Sequence, residues 1–297
     1  MQRILVLRGG ALGDFLVTLP ALALLRRRWP AARIELAGNA TAARLGQNGG
    51  LLDAVHSQGE ARWSTLFRDA ALPVEFAAWL AGFDLVVNYW PDPGGELRAH
   101  FPRHDRQTFL RAESQPARAP AAAHYCAALR PLGLEPADYF HPLAGNRPDA
   151  PRSAKRLVAL HPGSGSPRKN WPLDRWAALA DWLVRECGAE VLVVAGEAES
   201  ATVGQLARFG SLLANLPLPA LAARLAECRL FIGHDSGVSH LAAACGVPSV
   251  LLFGPTEPAM WAPPAAHVSV LRRGVALASI SPDDLQRAVT AALTDRT

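Results

Sequence analysis

The stretch Arg3-Ile-Leu-Val-Leu-Arg-Gly-Gly-Ala-Leu-Gly-Asp14 decides the fold. It opens on an apolar run without alternation, the mark of a strand buried on both faces. Glycines at 9, 10 and 13 follow. Residues 14–29 then carry apolar side chains at helical spacing and end in Arg26-Arg27-Arg28, cations suited to the negative end of a helix, with Pro30 as the stop. Arg33-Ile-Glu-Leu-Ala37 reads as a second strand. Two strands joined through a helix must run parallel, so the chain begins as an α/β protein.

The same rhythm extends outward. Residues 41–48 read as a short helix and Asp84-Leu-Val-Val-Asn88 as a strand, whereas 91–120, rich in Pro, Arg and His, reads as long loops with at most one short helix. Residues 141–155 hold three prolines, a glycine and an asparagine and read as a linker. The alternation then restarts. Strands are expected at 157–160, 190–195, 230–232 and 249–253, and helices at 173–186, near 199–208, at 218–226 and at 239–245. Ser281-Pro-Asp-Asp284 begins a last helix, with Ser as N-cap and two acids on the positive dipole end. Two successive doubly wound parallel-sheet domains are expected, with a cleft between them and ligands beyond the carboxyl ends of the strands.

Composition excludes several classes of function. With 297 residues, half of them apolar and 19% charged, the chain has material for two cores and is not a disordered protein. The net charge of +4 is spread evenly over both halves, which argues against a nucleic-acid partner. Cys126, Cys187, Cys228 and Cys245 form no CxxC pair, so zinc and dithiol chemistry lack their usual spacing, and scattered thiols suit a reducing compartment. Residues 1–7 carry no secretory signal, and the longest uncharged run, 236–256, is broken by three glycines and two prolines. A cytoplasmic protein is expected. Only Lys155 and Lys169 are lysines, which makes the position of each informative.

Four segments fall where a strand gives way to a helix. In Arg8-Gly-Gly-Ala-Leu-Gly-Asp14 the backbone N–H groups face the cleft. A dinucleotide fingerprint would need G-x-G-x-x-G, but Arg8 holds the first glycine position and Glu35 lies inside the second strand, so a nicotinamide cofactor is not expected. The loop shaped by Gly10 and Gly13 could still serve an acceptor or a phosphate. Asp14 is either a general base or a helix-starting acid. His161-Pro-Gly-Ser-Gly-Ser-Pro-Arg-Lys-Asn-Trp-Pro172 joins Ser164, Gly165, Arg168 and Lys169 at a helix start, a set suited to a diphosphate but without a Walker sequence; the alternative is an exposed turn. Gly233-His-Asp-Ser-Gly-Val-Ser-His240 places Asp235, Ser236, Gly237, Val238, Ser239 and His240 at another strand end, as ligand contacts or as helix caps; a metal set of His234, Asp235 and His240 fits no standard spacing. Phe253-Gly-Pro-Thr256 and Gly196-Glu-Ala-Glu199 are tight turns, the second offering an acid to ribose hydroxyls.

Together these segments resemble glycosyltransferase family 9, the heptosyltransferases of lipopolysaccharide core assembly. The resemblance rests on Gly9-Gly10 with Gly13-Asp14 and Leu19-Pro-Ala-Leu22, on His161-Pro-Gly-Ser-Gly165 with Lys169-Asn-Trp-Pro172, on Gly196 with Glu199, and on Asp235-Ser-Gly-Val-Ser-His240 followed by Phe253-Gly-Pro-Thr256. It implies a GT-B fold, with an acceptor domain at 1–148, a donor domain at 149–280 and a last helix, 281–297, packing back on the first domain. It implies Asp14 as general base and Lys169 at the donor phosphates beside Ser164, Gly165 and Arg168. Asp235 would be the donor-site aspartate, and Ser236, Gly237, Val238, Ser239 and His240 the phosphate-binding helix start. Either Glu197 or Glu199 would hold the ribose.

The implied reaction is an inverting transfer of heptose, or a related sugar, from ADP-heptose to a lipopolysaccharide-core or other glycan, lipid-linked at the inner face of the inner membrane. No cofactor or metal is called for, because Lys169 and the N–H groups would stabilise the leaving diphosphate. A nucleotide-sugar epimerase on the same architecture and a non-enzymatic sugar-nucleotide-binding protein are the rival readings.

Overall fold

The computed structural model describes residues 1–68, 70–102, 104–143, 156–196 and 203–294. The chain divides into two units, Met1–His141 and Pro142–Thr297. The first is built on five parallel strands, β1 (Arg3–Arg8), β2 (Arg33–Gly38), β3 (Ala54–Ser57), β4 (Leu85–Asn88) and β5 (Thr108–Arg111), in the order β3-β2-β1-β4-β5. Ile4, Leu5, Val6 and Leu7 are wholly buried, which is why β1 reads as an unbroken apolar run. Glu35 is the buried exception. Arg3 and Arg33 donate to its Oε1 at 3.1 and 3.0 Å, and His56 Nε2 lies 2.8 Å from Oε2. Burial alone would raise this carboxyl, but the three partners outweigh it and hold it at about 2. An Arg–Glu–His ladder across β1, β2 and β3 therefore fixes their register.

The second unit carries β6 (Leu157–His161), β7 (Glu190–Ala195), β8 (Gly210–Ala214), β9 (Leu230–His234), β10 (Ser249–Phe253) and β11 (Val268–Arg272), all parallel, in the order β11-β10-β9-β6-β7-β8. Counted within the unit this is 3-2-1-4-5-6 read from the opposite edge, the doubly wound order, and its direction reverses between β6 and β9. The helix Leu173–Arg185 buries Trp176, Leu179, Ala180 and Leu183, an i, i+3, i+4, i+7 stripe, against the sheet. Leu179 and Leu183 each contribute about 1.5–3 kcal/mol when fully withdrawn from water.

The last helix, Pro282–Thr294, buries its apolar stripe, Leu285 and Val289, in the second unit's core. Ser281 and Asp284 start it by exchanging N–H bonds, Asp284 N–H to Ser281 Oγ at 3.1 Å and Ser281 N–H to Asp284 Oδ2 at 3.2 Å. Among the described residues no helix is long and apolar enough to cross a membrane.

Candidate active site

In the second unit the loop after β6 and the helix after β9 lie side by side at the point where the sheet order reverses, because β6 and β9 are hydrogen-bonded neighbours. Two histidines end these strands and are buried, His161 and His234. His234 Nε2 accepts the Trp171 N–H at 2.8 Å, and its Nδ1 lies 3.3 Å from the Gly163 carbonyl. One partner only donates and the other only accepts, so the ring is neutral with its proton on Nδ1. Burial pushes it down to about 4, against the Gly163 carbonyl and Asp235, and pushes His161 down to about 3, with His234 adding to the effect. His234 is thus a post that pins both ends of the loop 163–171, and both ring nitrogens are occupied. Trp176 packs edge-on against the His234 ring at 5.3 Å, and the Trp171 indole N–H donates to the Ile280 carbonyl at 3.0 Å.

The pinned loop brings the expected residues together. Lys169 Nζ pairs with Asp235 Oδ2 at 2.7 Å across 66 positions of sequence. Asp235 is largely buried and Lys169 half-buried, so a cation stands at the mouth of the β6–β9 crevice. Ser164 Oγ lies 2.7 Å from both the Ser166 carbonyl and Asn170 Oδ1, which folds the loop back on itself. Gly165 and Arg168 sit at its exposed rim, with open space where a Gly165 Cβ would be.

The facing helix, Gly237–Ala244, begins at Ser236, whose Oγ accepts the Ser239 N–H at 3.3 Å. The same oxygen lies 3.4 Å from His161 Nδ1, and the Ser239 hydroxyl donates to the His234 carbonyl. Ser236 and Ser239 are therefore caps that aim the helix start, while the N–H groups of Gly237 and Val238 are left at the crevice. His240, one turn into the same helix, is buried. Thr256, at the end of Phe253-Gly-Pro-Thr256, has a buried Oγ1 without a hydrogen-bond partner among the described residues. Glu197 and Glu199 lie outside the described residues.

In the first unit the turn after β1 opens the short helix Leu12–Leu16 with Asp14 at its third position. Gly10 has a φ of +101°, and a Cβ there would stand 2.5 Å from Asp14 Oδ2, so the turn requires glycine. Gly38 meets a second demand, since a Cβ on it would stand 1.9 Å from the Arg8 carbonyl. Asp14 Oδ2 accepts the Ala11 N–H at 2.8 Å, and Oδ1 accepts from Arg8 Nη2 at 3.1 Å. The side chain is 35% exposed, so it caps its helix and still reaches solvent. Both of its expected roles are therefore compatible with the geometry. Arg8, His161 and Asn170 shape these sites without a task that their local sequence assigns, and His234 is a post for the loop rather than a member of a metal set. A histidine closing a buried strand beside a glycine loop was the available signal.

The family model described as glycosyltransferase family 9 (heptosyltransferase) matches residues 115–279. Lipopolysaccharide heptosyltransferase 1 of Pseudomonas aeruginosa is 37% identical over 113 residues, 37% of this chain and 32% of the relative. Lipopolysaccharide heptosyltransferase 2 of Salmonella typhimurium is 32% identical over 126 residues, 39% of this chain and 35% of the relative. These alignments span about a third of each relative's length. The fold is shared more widely. A family 9 glycosyl transferase from Veillonella parvula superposes with a TM-score of 0.80 at 23% identity, covering 99% of this chain and 98% of the other. The E. coli heptosyltransferase WaaC, solved with ADP-2-deoxy-2-fluoro heptose, superposes with a TM-score of 0.76 at 19% identity, covering 98% and 99%. With more than half of its residues matched by the family model, and with both doubly wound sheets in place, the chain belongs to glycosyltransferase family 9 (heptosyltransferase).

Proposed function

We propose that the chain is an inverting heptosyltransferase, taking heptose from ADP-heptose and passing it to a lipopolysaccharide-core or related glycan, lipid-linked at the inner face of the inner membrane. The observation that carries this reading is the Lys169–Asp235 pair at the β6–β9 reversal, beside a helix start whose first two N–H groups, those of Gly237 and Val238, face the crevice. A diphosphate in that crevice would meet Lys169, the loop at Ser164 and Gly165, Arg168 at the rim, and the amides of Gly237 and Val238. Asp235 and His240 would face the remainder of the donor, and Glu197 or Glu199 the ribose.

The acceptor is assigned to the first unit, where Gly10 and Gly13 shape the turn that presents Asp14. The acceptor hydroxyl gives its proton to the Asp14 carboxylate as its oxygen attacks the anomeric carbon from the face opposite the diphosphate. The C–O bond to the diphosphate breaks, and the added negative charge on the departing ADP is met by Lys169 and the helix amides, which are already oriented. The lipopolysaccharide heptosyltransferase relatives support heptose and a lipopolysaccharide acceptor, and WaaC, solved with ADP-2-deoxy-2-fluoro heptose, supports an ADP-linked donor.

The test is a binding panel. ADP and ADP-heptose should raise the melting temperature of the intact chain, and the Lys169→Ala variant should lose most of that shift; a ligand at 100 times its Kd adds about 2.7 kcal/mol. Preference for a UDP- or GDP-sugar would refute the donor assignment.

A further inference from the structure

We propose that Arg8 is a positioning residue for the transfer. Its buried guanidinium, itself fixed by Tyr125, holds the Asp14 carboxylate in the orientation from which it takes the acceptor proton. This inference rests on the proposed role of Asp14 as base.

Arg8 ends β1 and is only 5% exposed, a rare condition for an arginine unless it is fully engaged. Nε donates to the Asp14 carbonyl at 3.2 Å and to Thr18 Oγ1 at 3.0 Å. Nη2 donates to Asp14 Oδ1 at 3.1 Å and to the Tyr125 hydroxyl at 2.9 Å. The guanidinium carbon stands 4.3 Å from the centre of the Tyr125 ring. One planar group therefore grips Asp14 twice, at its backbone and at its side chain, and Thr18 adds a hydroxyl bond to the same Asp14 carbonyl at 2.8 Å.

The consequence for the carboxylate is geometric. Oδ1 is held by Arg8 and Oδ2 by the Ala11 N–H, so rotation about the Cβ–Cγ bond would break one bond or the other. Each oxygen keeps a second lone pair, and the side chain's exposure leaves room for a hydroxyl to approach. A cap alone needs only the Ala11 bond. The second, charged bond adds orientation to a group that is already capped.

Tyr125 makes the grip rigid. It comes from the helix Ala121–Ala127, 117 positions from Arg8. Its hydroxyl donates to the Ser114 carbonyl at 3.1 Å, which leaves its lone pairs for Arg8. Burial pushes the phenol up from its ordinary value, so it remains a donor. Tyr89 braces it, ring edge to ring at 5.4 Å, and donates its hydroxyl to the Tyr125 carbonyl at 2.9 Å. The chain of contacts runs Tyr89, Tyr125, Arg8, Asp14, from core to reacting group.

The experiment compares Tyr125→Phe, Arg8→Lys and Arg8→Gln, each alone and in an Asp14→Asn background, for kcat and for the KM of ADP-heptose. Tyr125→Phe keeps the ring and removes only the hydroxyl. A carboxylate displaced by a fraction of an ångström predicts kcat lower by about tenfold for Tyr125→Phe and about 100-fold for Arg8→Gln, with Arg8→Lys between them. The KM for ADP-heptose should stay within about twofold, since the second unit is assigned the donor. In the Asp14→Asn background, Arg8→Gln and Tyr125→Phe should each cost less than about threefold more, because residues acting as one unit are not additive. Wild-type kcat in a folded Tyr125→Phe or Arg8→Gln variant overturns the inference, as does a full multiplication of the two losses. Should Arg8→Gln fail to fold, Tyr125→Phe decides alone. Near wild-type turnover in Asp14→Asn itself would instead sink the base assignment, and this inference with it.

Discussion

Two buried neutral histidines beneath the loop 163–171 make stability depend on pH, in a direction and by an amount that the structure sets. In the folded chain His161 and His234 are held down at about 3 and about 4. In the unfolded chain both return to about 6.5. Between these limits the unfolded state binds more protons, so stability falls as pH falls, by about 1.4 kcal/mol per pH unit for each ring. It is fully present above 6.5. Going from about pH 7.5 to about pH 5 should remove roughly 2 kcal/mol per ring, about 4 kcal/mol together. His141, which burial also holds down, acts with the same sign. Glu35, held at about 2, titrates below this window. Urea unfolding followed by tryptophan fluorescence at several pH values measures the effect, with Cm falling at constant slope. His234→Gln, which cannot take the proton, should lose about half of the dependence. Stability flat to within about 1 kcal/mol from pH 7.5 to 5 would mean that these rings are not neutral posts, and the pinned loop would have to be abandoned.

Other substitutions probe the sites one at a time. Lys169→Ala should lower kcat and raise the KM for the donor, reducing kcat/KM by about 30- to 1,000-fold, the ~2–4 kcal/mol typical of one lost charge-stabilising donor; steady-state kinetics with a change in KM alone would assign Lys169 to ground-state binding. Asp14→Asn should lower turnover by about 100-fold or more. It should also destabilise by about 1–3 kcal/mol, more than a lost cap, because Arg8 stays buried without its carboxylate; calorimetry showing no loss would mean that Arg8 finds another partner. Gly10→Ala forces a side chain into a φ of +101° and against Asp14, at about 1–3 kcal/mol, and should depress kcat; an unchanged melting temperature would show that the turn can relax.

What could be read from the sequence follows burial. The strands β1, β2, β4, β6, β7, β9 and β10 read as apolar runs, interrupted in β2 by Glu35, and they are the inner strands of their sheets. The strands left unread, β3, β5, β8 and β11, are the four sheet edges. Ala54-Val-His-Ser57, Thr108-Phe-Leu-Arg111, Gly210-Ser-Leu-Leu-Ala214 and Val268-Ser-Val-Leu-Arg272 are half-exposed and mix polar with apolar residues, so neither period stands out. The last helix was legible as a helix, with its Ser281 cap, but an apolar stripe does not say which core it enters.

The sites divide in the same way. Lys169, Ser164, Asp235 and Ser236 stood out as polar groups at strand ends and lie together around the β6–β9 reversal. Arg8 and Tyr125 did not stand out, since a contact across 117 positions leaves no local pattern. His161 and His234 were visible as residues but not as posts, because neutrality comes from burial and partners that only the fold supplies.

The central claim, transfer of heptose from ADP-heptose, is tested most directly by mass spectrometry. The purified chain is incubated with ADP-heptose and a heptose-deficient lipopolysaccharide core. The acceptor should gain one heptosyl residue while an equal amount of ADP appears, and Asp14→Asn should suppress both by about 100-fold. An epimerised nucleotide sugar with an unchanged acceptor, or binding of ADP-heptose without release of ADP, would contradict the account.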